Sequence, residues 1–187
     1  MNFFNILFNN KYKHKGKFEE QLFAGSGGEP VPYRVIAYNV PYKATPGRLI
    51  VYDSQMPVGD PGGLPAVCKC GYWSPDAGSK QEGWYLDLYV EDNGDGTHSF
   101  IIPSDITEVV LVRAGDVTLD GRLTTDDHTL IKDYFNEVVD DITPEQKYAG
   151  DNNVPLGKIS WADVTKINAV VAGTASAQFS WNTAPED

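Results

Sequence analysis

Histidine, cysteine and basic residues are scarce in this chain, and long hydrophobic runs are absent. The three histidines, His14, His98 and His128, stand far apart in the sequence. There is no His-Glu-x-x-His, Gly-x-Ser-x-Gly or phosphate-loop motif, and no glutamate pair suited to a sugar cleft, so catalysis is not expected. The two cysteines, Cys68 and Cys70, lie two apart in a strand-like segment. Side chains at that spacing share a face but are too far apart to bridge, and no Cys-x-x-Cys suggests metal or redox work; both are expected to be thiols. No apolar run reaches the roughly 18 residues that crossing a bilayer needs. Lys and Arg number 15 against 26 Asp and Glu, a net charge of −11. Without a basic surface to displace phosphate counterions, the chain is expected to bind nucleic acid poorly, and none is expected as a partner. Residues 1–8 are too short, and lack the basic start and small-residue cleavage site, to read as a secretory signal.

What is present is acid, unevenly spread. Residues 1–114 hold 10 Lys/Arg and 13 Asp/Glu, whereas residues 115–187 hold 5 and 13. The acidic part contains the most informative run, residues 116–127: Asp-Val-Thr-Leu-Asp-Gly-Arg-Leu-Thr-Thr-Asp-Asp. It follows the calcium-loop pattern. Asp116, Thr118 and Asp120 offer side-chain oxygens at positions 1, 3 and 5, and Gly121 allows the sharp turn at position 6. Arg122 lends a backbone carbonyl at position 7, Thr124 stands at position 9, and Asp127 closes the loop at position 12. Calcium is a hard cation that takes six to eight oxygens at about 2.3–2.6 Å, which is why alternating oxygen donors on a tight loop suit it.

The loop has a partner. Residues 157–168 repeat residues 121–132 at an offset of 36, with Gly121/Gly157, Asp127/Asp163, Thr129/Thr165 and Ile131/Ile167 identical. Lys158 takes the place of Arg122. The second loop starts irregularly: counting back from Asp163 puts Asn152, Val154 and Leu156 at positions 1, 3 and 5. One inserted residue restores Asp151 and Asn153 as ligands. A duplicated loop-then-helix unit implies two halves that pack together, since neither buries its apolar face alone.

Two calcium loops, each followed by one helix and lacking the usual preceding helix, resemble a dockerin. Dockerins plug enzymes of anaerobic, polysaccharide-degrading bacteria into cohesin modules of a scaffoldin. Residues 115–134 are similar to the first repeat of that family nearly residue for residue, whereas the second repeat departs through its insertion and the missing carboxylate before Gly157. The resemblance covers about residues 113–175. It implies two structural calcium ions and a cohesin partner, contacted through loop positions 10 and 11 and the exposed helix faces. Those positions hold Thr125, Asp126, Lys132, Asp133 and Asn136 in the first repeat. In the second they hold Trp161, Ala162, Asn168, Ala169 and Ala172. One repeat is polar and charged there and the other apolar, so a single binding mode is expected. The resemblance also implies a segment of a longer, secreted protein of a cell-surface multi-enzyme complex.

The rest of the chain is patterned differently. Residues 1–30 read as a leader ending in the Gly25-Ser-Gly-Gly28 linker. Residues 31–112 carry short strand-like runs at 33–40, 48–52, 66–71, 84–91, 98–102 and 107–112, cut by Pro/Gly turns, as in a small β-sandwich. The clearest hairpin spans 84–102, with Trp84, Leu86, Leu88 and Val90 on one face and a turn at Asp92-Asn-Gly-Asp-Gly96. Helices are expected over 125–136, from Thr143-Pro-Glu-Gln146, and from 160 or 161 to about 172, stopped by Gly173. The expected fold is therefore mixed: an N-terminal antiparallel β-sandwich (31–112), then a small all-α, two-calcium module (113–175). The tail 176–187 carries Phe179 and Trp181, expected to pack back as a clasp. An alternative function is carbohydrate binding by the sandwich, whose aromatics include Tyr42, Tyr72, Trp73, Trp84, Tyr85 and Tyr89. Tyr72 and Trp73 are the most loop-like and the best candidates to stack on a polysaccharide.

Overall fold

The computed structural model describes residues 31–52, 68–79, 82–153 and 156–175. The leader 1–30 and the Phe179/Trp181 tail lie outside these residues. The described elements are β1 (Arg34–Ala37), β2 (Tyr42–Thr45), β3 (Arg48–Tyr52), β4 (Cys68–Ser74), β5 (Trp84–Asp87), β6 (Val90–Asp92), β7 (Thr97–Ile101) and β8 (Glu108–Arg113). Three helices follow: α1 (Thr125–Phe135), α2 (Pro144–Gly150) and α3 (Trp161–Val171). The strands form two four-stranded sheets, ordered β1-β8-β4-β5 and β2-β3-β7-β6.

The run Val109-Val-Leu-Val112 explains the layering. In a strand, alternate side chains point to opposite faces. Val109 and Leu111 enter the core between the sheets with Cys68, Cys70, Leu49, Val51 and Phe100. Val110 and Val112 point the other way and meet Tyr38, Tyr85, Leu119, Tyr148 and Ala149. β8 is buried on both faces, so it shows no polar alternation. Both cysteines are thiols, buried in the inter-sheet core.

The expected all-α C-terminal module is not what forms. The described chain is mostly β, and its three helices span only 11, 7 and 11 residues. Helices this short depend on tertiary burial, and here the sheet supplies part of it. Tyr148 and Ala149 of α2 pack into the outer face of the first sheet. Gly71 in β4 makes the approach possible, because a Cβ there would lie 2.7 Å from both the Leu86 carbonyl oxygen and the Tyr148 hydroxyl. α1 and α3 meet over a third cluster of Val117, Leu130, Ile131, Ile142, Val164 and Ile167. The repeated isoleucines Ile131 and Ile167 lie in it together, as the duplication implies.

The sandwich itself departs from expectation in three places. β1 pairs with β8 in parallel, Arg34 opposite Glu108, so the first sheet is mixed rather than antiparallel. The run 84–91 is not one strand: β5 pairs with β4 in the first sheet, and β6 pairs with β7 in the second. The chain changes sheets at Leu88–Tyr89. This breaks the face assignment, because Leu86 is exposed while Trp84, Leu88 and Val90 are buried. β2 was not expected; its Lys43 and Thr45 dilute the apolar signal, and only Ala44 is buried.

Candidate metal centre

Among the described residues four carboxylates are buried, in a chain that already carries excess negative charge. Asp116, Asp127 and Asp163 are 0 % exposed and Asp151 is 1 % exposed. They fall into two pairs, one in each loop. Placing such groups out of water is costly unless hydrogen bonds or a cation offset the charge.

In the first loop, Asp116 accepts backbone N–H bonds from Asp120 at 3.1 Å and Gly121 at 2.7 Å. Asp127 accepts from both the N–H and the hydroxyl of Thr118 at 2.9 Å through Oδ1. Its Oδ2 takes the Thr124 N–H at 2.6 Å, closing a capping box at the start of α1. Asp127 thus joins loop closure to helix initiation. Asp120 is exposed and accepts the Arg122 N–H at 2.9 Å. Arg122 is exposed and Thr124 half-buried. Gly121, at φ 83°, makes the sharp turn at position 6.

The second loop repeats these bonds with one residue inserted. Asp151 takes the part of Asp116: its Oδ2 accepts the Gly157 N–H at 2.7 Å, as Asp116 accepts that of Gly121. Asn153 stands where Thr118 does, its N–H donating to Asp163 Oδ1 at 2.8 Å. Ser160 replaces Thr124, its N–H and hydroxyl donating to Asp163 Oδ2 at 2.8 and 2.7 Å. Asn152 adds a further N–H bond to Asp163 Oδ1 at 2.8 Å. Lys158 is exposed. Of the two alignments the sequence leaves open, the hydrogen bonds follow the one with the insertion.

The electrostatics favour a cation. Burial, then the nearby Asp127 charge, raises Asp116 from 3.8 to about 7; burial also raises Asp151 to about 7, against the pull of Lys69. Asp127 is raised as well, chiefly by burial. Oδ1 of Asp151 and Oδ1 of Asn152 are buried and accept no hydrogen bond from any described residue. Among the described residues no group of three or more His, Cys, Asp or Glu gathers as a ready metal cage. Loops of this kind draw much of their coordination from hydroxyl, amide and carbonyl oxygens instead. The donors are all hard oxygens, and one of them is an orphaned buried carboxylate oxygen; that set suits a hard divalent cation.

The expected partner-facing residues divide by exposure. Thr125, Asp126, Asn136, Trp161, Ala162, Asn168 and Ala172 are exposed, and Lys132, Asp133 and Ala169 are half-buried. Trp161 is 53 % exposed, and its ring lies 5.4 Å from that of Phe135. The two rings form an apolar ridge across α1 and α3, and Trp161 does not serve as a core bridge to the sandwich. Of the sugar-stacking candidates, Trp73 is 43 % exposed but packs edge-on against Tyr85, and Tyr72 packs against the inter-sheet core. The turn at 92–96 folds its acids back on itself: Asp92 accepts the Gly94 N–H and Asp95 the Thr97 N–H.

Sequence reasoning missed two cations beside the loops, Lys69 of β4 and Arg113 of β8, buried at 8 % and 5 % exposure. Arg113 sits three residues before Asp116, a usable local hint. Lys69 is 82 residues from Asp151, and nothing local marks it. Among the described residues no helix is long and apolar enough to cross a membrane. Comparison with protein-family models, curated proteins and solved structures gives no match for this chain.

Proposed function

We propose that this chain is a calcium-dependent docking unit that anchors its parent protein to a cohesin of an extracellular, polysaccharide-degrading complex. The observation that carries this reading is the matched pair of loops. Asp116/Asp127 and Asp151/Asp163 are buried, bonded alike within their loops, and each closing aspartate caps the helix that follows. Calcium held by the oxygens of Asp116, Thr118, Asp120, Arg122, Thr124 and Asp127, and by those of Asp151, Asn153, Lys158 and Asp163, would offset carboxylate repulsion. The chain's own residues then aim α1 and α3. The Trp161–Phe135 ridge and the exposed Thr125, Asp126, Asn136 and Asn168 offer a mixed apolar and polar contact face. An aromatic anchor ringed by polar groups is the usual anatomy of a binding hot spot.

The test is capture on a panel of immobilised cohesins, in calcium and in chelator. Retention by a cohesin in calcium, lost in chelator, supports docking; no capture by any cohesin in calcium overturns it. A second reading, carbohydrate binding, is favoured by a groove of about 570 Å³ between β5 and the second loop, where Tyr89 and Leu86 are the exposed apolar side chains and Asp87 and Asp151 are polar lining groups. Retention on starch or cellulose irrespective of calcium supports that reading.

A further inference from the structure

Each metal loop receives a buried cation from the sheet, and the two come from adjacent strands. Arg113, at the end of β8, has Asp116, Asp127 and Asp120 as charged neighbours. Cys68 opposes Arg113 in the β4–β8 ladder, and Lys69 opposes Val112, so the two cations enter from neighbouring rungs. Lys69 reaches deeply into the second loop. Its Nζ donates to the Tyr148 carbonyl at 2.9 Å and to the Asp151 carbonyl at 2.5 Å. It also lies 4.3 Å from the centre of the Tyr148 ring. The charged groups around it are Asp87, Asp151 and Asp163. Asp87 of β5, which also accepts the Tyr148 hydroxyl at 2.6 Å, is the strongest of them, and Asp151 and Asp163 are the two that belong to the loop.

Lys69 therefore does three things a bound cation would do. It offsets the charge of the two loop aspartates. It gathers backbone oxygens from the last turn of α2 and from the first ligand residue. It ties that end of the loop to β4, while the Ser79 N–H to Gly157 carbonyl bond, 2.9 Å, ties the other end to the loop after β4. Burial pulls the ammonium below its ordinary pKa and the three carboxylates oppose that pull.

We propose that Lys69 is a built-in cation of the second loop, holding it in shape without metal and weakening calcium binding there by like-charge repulsion. The inference rests on the calcium reading above. In its light the two loops differ in kind: the second keeps its form in chelator, and the first depends more on its metal.

The test compares wild type, Lys69→Met and Lys69→Gln by calcium titration calorimetry and by thermal melts in chelator and in calcium. Met matches the volume without charge; Gln can still donate to a carbonyl but is neutral. Removing the charge is expected to lower the melting temperature in chelator by about 10 °C, because the carboxylates around it lose a buried counter-charge. In calcium the deficit shrinks to less than half, and second-site affinity rises on the order of tenfold. Lys69→Gln behaves like Lys69→Met if charge is what matters, and it carries the comparison if Lys69→Met does not fold. A deficit equal in chelator and calcium, with unchanged affinity, makes Lys69 a hydrogen-bonding strut and overturns the proposal. A wild type that binds no calcium overturns the calcium reading itself, a result distinct from the first.

Discussion

Asp127 and Asp163 show how much one carboxylate can organise. Each closes its loop through one oxygen and caps a helix through the other, so loop geometry and helix direction cannot vary independently. The opening aspartates carry the electrostatic tension. In the folded, metal-free chain Asp116 and Asp151 are raised to about 7 by burial, whereas in the unfolded chain they ionise near the ordinary carboxylate value of about 3.9. Between those values the folded state binds more protons than the unfolded state, so stability falls as pH rises from about 4 to about 7. Asp127, Asp120 and Arg113 face Asp116, and Lys69, Asp163 and Asp87 face Asp151; these set how steep the fall is. In chelator the protein should melt higher at pH 5 than at pH 7.5. With calcium the order should reverse, because the metal displaces the protons. The trend in chelator should weaken in Asp151→Asn. Melting temperatures in chelator that climb steadily from pH 5 to 7.5 would refute this.

At the scale of elements, helix boundaries follow from local chemistry. Thr124 and Thr143 set capping boxes, Pro144 opens α2, and Gly173 at φ 69° stops α3. The strands obey less local rules. Residues 84–91 alternate in a way that suits one long hairpin arm, yet the chain crosses between sheets midway, because the edge of each sheet is completed by a different half. Alternation says which residues share a face; it does not say which sheet owns them. The exposed ridge on α1 and α3 yields an element-scale prediction. Trp161→Ala removes a surface ring whose partner is Phe135, so it should cost no more than about 1.5 kcal/mol of stability. On the docking proposal, cohesin affinity should fall by more than about 1 kcal/mol, measured by calorimetry in calcium. Affinity within that limit would remove Trp161 from the contact face.

At the scale of the whole molecule, α2 ties the helices to the sandwich, with Tyr148 and Ala149 packed on Tyr85, Val110 and Val112 of the first sheet. β8 feeds the inter-sheet core with one face and the helix-facing core with the other, and Lys69 and Arg113 reach from the sheet toward the loops. Unfolding in calcium should therefore be a single transition, coincident by far-ultraviolet dichroism, tryptophan fluorescence and calorimetry. Two separable transitions, with the helices melting first, would show that the sheet does not support them. The sequence by itself determined the first loop with its aspartates, the closing Asp163 of the second, the helix starts and stops and the existence of a β-rich half, because each is encoded by hydrogen bonds and turns within a few residues. Only the tertiary structure decided that β1 runs parallel to β8, that the 84–91 run divides between sheets, and that α2 leans on the first sheet. It also decided that Lys69 stands inside the second loop. These depend on pairings tens of residues apart, where burial and charge compensation between distant segments select the arrangement and local pattern carries no signal.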